Sequence, residues 1–129
     1  MSDYAIVNLK DLDDSAGRLN LSPSLEARFG RDALGGERAG ISYQRLSPNF
    51  RLPFGHRHAR QEELYVILSG SGRTKVGDEI RELRQWDVLR VAPGLARGFE
   101  AGPVGLELLA FGAGESGDAE LLDDFWPAD

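Results

Sequence analysis

Glycine and proline punctuate this chain so closely that only short extended segments fit between them: sixteen glycines and six prolines fall within 129 residues. The intervening pieces alternate or run apolar over four to eight residues, which is the pattern of strands. Candidates are YAIVN, AGISYQRL, EELYVILSG, GRTKV, EIRELR, DVLRVA, RGFEA and GLELLAFG, separated by the turn signals SPN, SGSG, VGDE, APG and AGP. The Gly-Asp pair in KVGDEI predicts a tight two-residue hairpin. Many short strands with regular turns predict an all-β antiparallel sandwich or barrel. SPSLEARFGRDALGG reads two ways: a short helix capped by Ser22 with Pro23 at its first position and ending at Gly35, or a strand over LEARF.

In EELYVILSG the side chains of Glu63, Tyr65 and Ile67 share one face and those of Leu64, Val66 and Leu68 the other. Both faces are mostly apolar, so the strand needs cover on both sides, from the barrel interior and from a second layer. The N-terminal segment, the tail or a partner subunit can supply that layer. Leu121, Leu122, Phe125 and Trp126 in the tail likewise need a surface, and together these faces predict a homodimer. Whichever of the sets Tyr43 with Arg45 or Ser42 with Gln44 faces inward is expected to line a pocket, and Glu107 is either an inward polar group or a solvated one.

A formal net charge of −6 without a dense basic patch argues against nucleic acid as a partner. The absence of cysteine excludes disulfides, thiolate chemistry and cysteine-held zinc or iron–sulfur. PVGLELLAFGAG, the most apolar stretch, is short and carries Glu107, so no membrane partner is expected. MSDYAIVNLKDLDD has no basic region leading into an apolar run, and the expectation is a cytoplasmic protein.

The two histidines of the chain stand two apart in HRHARQEELYVILSG, five residues ahead of Glu63. On a strand, His56 and His58 point the same way with Cα atoms about 6.5–7 Å apart. Two imidazoles and one carboxylate with open positions left over suit iron(II), manganese or a related divalent ion. The same three residues also make sense as a hydrogen-bonded polar cluster inside a barrel.

This stretch resembles the first motif of the cupin superfamily, G-x5-H-x-H-x3,4-E-x6-G. His56, His58, Glu63 and Gly70 fall on four of its five fixed positions, and Phe50 stands at the first glycine. The second motif, G-x5-P-x-G-x2-H-x3-N, falls on Trp86, Ala92, Gly94, Arg97 and Ala101, of which Gly94 alone is retained. The resemblance spans roughly 39–111 and implies a jelly-roll β-barrel of two antiparallel sheets. A length of 129 residues predicts a single domain, with a barrel core expected at 39–112, an N-terminal segment at 1–38 packing on it and a C-terminal tail at 113–129.

The resemblance also implies a metal site, with His56, His58 and Glu63 as ligands of iron, manganese, nickel or zinc. The fourth ligand of the family, a histidine, is Arg97 here. An arginine is always protonated and is no ligand. Its charge about 5 Å from a divalent ion costs roughly 6 kcal/mol at an effective dielectric of 20. Two arrangements answer this. Arg97 aims at the barrel mouth, where its planar fork suits a substrate carboxylate or phosphate, or it pairs with Glu63 in place of a metal. The resulting expectation is a small-molecule-binding cupin, its ligand anionic, with Arg97, Tyr65 and Phe99 lining the ligand site. As an enzyme it would be a metal-dependent isomerase or dioxygenase type, with Tyr65 the candidate catalytic proton donor. The alternative is a metal-free ligand-binding or regulatory module built on a Glu63–Arg97 pair.

Overall fold

The computed structural model describes residues 3–127. Residues 1–2 and 128–129, at the outer ends of the two flanking segments, lie outside the described residues. Among the described residues eight antiparallel strands form: β1 Leu25–Phe29, β2 Ala39–Leu46, β3 Phe54–His58, β4 Glu62–Val76, β5 Glu79–Arg84, β6 Val88–Val91, β7 Arg97–Ala113 and β8 Ala119–Asp123. Two strands, β4 and β7, run long enough to belong to two sheets. Their outer halves, Glu62–Gly70 and Leu106–Ala113, pair with each other and carry β6 on one side and β2 and β1 on the other. Their other halves, from Gly72 to Val76 and Arg97 to Ala101, pair with each other and carry β5 and, through His56 opposite Arg97, β3 and β8. The chain is thus an all-β double-sheet jelly roll. Among the described residues no helix is long and apolar enough to cross a membrane.

Here the structure corrects the reading of the turn signals. SGSG and AGP do not reverse the chain; EELYVILSG continues into GRTKV as β4, and RGFEA continues into GLELLAFG as β7. The glycines bend these strands instead. Gly70 has φ of 77°, and a Cβ on it would lie 2.0 Å from the Gly105 carbonyl oxygen. Gly105 itself has φ of 86°, and the ladder between the two strands shifts register between Gly70 and Gly72. Only glycine tolerates both that conformation and that approach, and the resulting bulge turns each strand from one sheet into the other. The expected hairpin at Gly77-Asp78 does form, with Val76 opposite Glu79.

YAIVN does not join a ladder; Tyr4 and Ile6 remain exposed and the chain turns into a short 3-10 segment at Leu9–Asp11. LEARF is the strand β1, and RDAL makes one helical turn that ends at Gly35. The first segment is tied down by charge. Glu26 on β1 is buried and accepts from Lys10 at 2.8 Å, Arg28 at 2.6 Å and Arg45 at 3.1 Å. The bond from Lys10 leads in holding this carboxyl down at about 2, with those from Arg28 and Arg45, against the raising effect of burial. At the other end β8 pairs five residues with β3, and Phe125 and Trp126 lie beneath Lys75 and Arg51.

The interior holds Leu25, Leu46, Tyr65, Ile67, Val91, Phe99, Leu106 and Leu108, each at most 3% exposed. Tyr65 and Ile67 point inward along β4 while Leu64 is exposed, as the period-2 alternation requires. On β2 the inward set is Ser42 and Gln44, both at the cavity wall. Tyr43 faces the other way, donates to Glu107 and lies under the Lys10 ammonium. Glu107 also accepts from Ser69, and these bonds lower its pKa. Trp86 is exposed and the charged hairpin of β4 and β5 is largely at the surface.

Candidate metal centre and cavity

Two short strand segments assemble the polar cluster. Alternation on β3 sends His56 and His58 to the same side, and their rings meet edge to face with centroids 5.2 Å apart. The chain then turns, and β4 brings Glu63 and, two residues on, Tyr65 to the same side. Both histidine Nε2 atoms approach one carboxylate oxygen, Glu63 Oε1, at 3.4 Å from His56 and 3.3 Å from His58. One ligand atom from each of the three residues lies within 4.8 Å of the others.

The same oxygen accepts from the Tyr65 hydroxyl and from Arg97 Nη2, the latter at 3.0 Å. Arg97 arrives from the start of β7, directly opposite His56 in the ladder. Its Nε donates to the Tyr65 oxygen at 3.0 Å and its Nη1 to the Leu95 carbonyl at 2.8 Å. The guanidinium is wholly buried. It does not line the cavity, so the position expected for an anion clamp at the barrel mouth is not the one it takes. Its direction is set by partners on hand: two side-chain acceptors and a carbonyl lie within reach of a planar donor fork.

Burial by itself would raise the Glu63 pKa; bonds from His56 and Tyr65 and the histidine charges outweigh this and bring it down to about 2. Glu63 is therefore a carboxylate at neutral pH. Burial and then the neighbouring Glu63 charge push the Tyr65 phenol well above its usual range, so it stays protonated and donates.

One functional neighbour was invisible in the sequence. Asp118, sixty residues from His58, reaches over from the segment before β8 and places Oδ1 2.7 Å from His58 Nδ1. Its side chain is 1% exposed. Burial opposes its charge, but bonds from His58 and from the Arg60 and Gln61 amides hold its pKa below the usual carboxylate range. No motif or periodicity links positions 58 and 118; they meet because β8 pairs with β3.

A cavity of about 440 Å³ opens onto His56, His58, Glu63 and Tyr65. Leu25, Leu52, Phe54 and Phe99 supply apolar wall, with Ser42, Gln44 and Gln61 adding polar points. A larger hollow of about 770 Å³ lies by the β4–β5 hairpin among Arg73, Glu82, Arg84 and Glu100, and none of the cluster borders it. The first cavity is the candidate site because its polar groups converge.

The donor set suits a divalent ion. The His58 ring lies between two acceptors, Nδ1 2.7 Å from Asp118 Oδ1 and Nε2 3.3 Å from Glu63 Oε1, and Asp118 is the nearer. This is the outer carboxylate that metal-bound histidines usually have. The Arg97 cation on the shared oxygen opposes the ion and is the one unfavourable feature of the set.

No family model matches the chain, and no curated protein matches it. Solved structures do. A cupin protein from Bacteroides fragilis is 26% identical over 93% of this chain and 91% of that one, with a TM-score of 0.71. An uncharacterized conserved protein with a double-stranded β-helix domain from Klebsiella pneumoniae is 15% identical, with coverages of 96% and 100% and a TM-score of 0.72. Oxalate decarboxylase from Bacillus subtilis shares 21% identity over 90% of this chain, which spans 32% of that enzyme, with a TM-score of 0.73.

Proposed function

We propose that this chain, which belongs to the cupin superfamily, binds a small molecule in its barrel with the ligand's polar end at a divalent metal held by His56, His58 and Glu63. The observation that carries the reading is the convergence of those three ligand atoms at the cavity, with His58 backed by Asp118. A bound iron, manganese, nickel or zinc ion would act there as a Lewis acid on a ligand oxygen. The chain's own residues supply the rest. Apolar walls at Leu25, Leu52, Phe54 and Phe99 hold the ligand body and exclude water. Tyr65 keeps its proton and donates a hydrogen bond to Glu63. An anionic end would be received by the ion, since Arg97 is buried behind Glu63.

The reading treats the chain as one domain, a barrel at 39–112 with 1–38 and 113–129 packed on it. The β1–β2 and β8–β3 ladders support a single domain, in which the two flanks each add a strand to the barrel's own sheets. A metal-free module is the second reading, favoured by one observation: Arg97, wholly buried, lies 3.0 Å from Glu63 Oε1. The deciding experiment strips the protein with chelator and titrates it calorimetrically with manganese, nickel and zinc. One ion per chain, lost in His58→Ala, is expected. No binding at roughly millimolar ion would overturn the metal reading in favour of the second.

A further inference from the structure

Asp118 does more than fasten the tail. Its Oδ2 accepts the backbone N–H groups of Arg60 at 2.7 Å and Gln61 at 3.0 Å, which fixes the carboxylate plane over the β3–β4 turn. Its Oδ1 accepts from Gln61 Nε2 at 3.0 Å and faces His58 Nδ1 at 2.7 Å. The Asp118 carbonyl also accepts from Ala59, and Gln61 Nε2 reaches the Glu115 carbonyl. Ser116, Gly117 and Ala119 around it form part of the cavity wall. One buried side chain thus joins the tail, the turn between the two ligand-bearing strands and a ligand histidine.

From this arrangement we infer that Asp118 is a positioning residue that sets the tautomer of His58: its oxygen lies 2.7 Å from Nδ1 while Glu63 Oε1 lies 3.3 Å from Nε2, so the neutral ring keeps its proton on Nδ1 and presents Nε2 to the cavity. The inference rests on the proposed metal site for its consequence but not for its geometry. The orientation of Oδ2 is decided by two backbone donors that need an acceptor. Asparagine in its place is expected to keep its carbonyl oxygen on the Arg60 and Gln61 amides and turn its NH₂ toward His58 Nδ1, with the Gln61 side-chain amide, which donates to Oδ1 in the wild type, turning to offer its oxygen. A donor there makes Nδ1 the acceptor and moves the ring proton to Nε2, where it blocks coordination. The shape is preserved while the tautomer reverses, as with other carboxylate–imidazole pairs.

With two histidines in the chain, the side-chain spectrum holds two imidazole patterns, each with an Nδ1 and an Nε2 resonance. Side-chain ¹⁵N–¹H correlation of the metal-free protein, recorded at rising pH until both rings are neutral, reads each tautomer directly. His58 is expected as the Nδ1–H form in the wild type and the Nε2–H form in Asp118→Asn, with His56 unchanged. Manganese and zinc affinity of the variant is expected to fall by about ten- to a hundredfold. A wild-type His58 in the Nε2–H form overturns the inference without any variant, so a poorly folding variant leaves it falsifiable. An unchanged His58 tautomer in a folded Asp118→Asn also overturns it, even if the wild type binds metal. The expected tautomers in a chain that binds no metal uphold the positioning role while the metal reading falls.

Discussion

Replacing Glu63 by glutamine in the presence of chelator removes one charge from a cluster whose other charged member, Arg97, has no exposure to solvent. With 3.0 Å between Arg97 Nη2 and Glu63 Oε1, the Coulomb attraction at an effective dielectric of 20 is about 5.5 kcal/mol. The amide dipole retains part of this, and leaving a buried charge without its partner costs about 3–5 kcal/mol. The ionisation of Glu63 adds a separate contribution, because, against burial, its lowered pKa comes from His56, Tyr65 and His58. A carboxyl lowered from 4.5 to about 2 contributes about 3 kcal/mol of folding free energy at neutral pH. At about 2.1 cal/mol/K per residue, unfolding a chain of 129 residues has an entropy of about 0.27 kcal/mol/K, so 3 kcal/mol lowers the midpoint by about 11 °C. The assay is thermal unfolding by circular dichroism in chelator. The pH dependence has a fixed sign. Because the folded pKa is the lower one, the stabilisation is present above 4.5 and is lost as the pH falls through about 2, so wild type and variant converge in acid. A midpoint within a degree or two of wild type at neutral pH would refute the argument. It would show that the buried guanidinium does not depend on Glu63.

Arg97→His removes the cation from the shared oxygen and adds an imidazole at the position where the family resemblance expects one. Divalent-metal binding is expected to tighten at least tenfold by calorimetry if even about 1.4 kcal/mol of repulsion is relieved. A variant that binds no more tightly than wild type would show that Arg97 does not oppose the ion. On the outer face of the barrel, Leu64, Phe111 and Val88 are exposed on neighbouring strands, and a second copy of the chain covering them is expected. Light scattering should then give the mass of two chains, reduced to one by Leu64→Glu; a wild-type monomer at micromolar concentration would end that proposal.

What was legible in the sequence is what local backbone geometry decides. The alternation of a strand places His56 beside His58, and Glu63 beside Tyr65 and Ile67, whatever the rest of the chain does. Glycine and proline spacing, with alternating or apolar runs between, points to extended pieces and so to an all-β fold. Whether a glycine reverses a strand or only bends it is not local. Gly70 and Gly72 bend β4 because β7 lies alongside with Gly105 at the same level, and a turn there would have broken both sheets. The fate of Arg97 is likewise tertiary. A long side chain has many rotamers, and the guanidinium turned inward because Glu63, Tyr65 and the Leu95 carbonyl together satisfy its donors there. Asp118 reaches His58 only because β8 pairs with β3, a contact spanning sixty residues that no period in the chain encodes. Short-range sterics set which side chains share a face; long-range pairing and the need to satisfy every buried charge set what each of them touches.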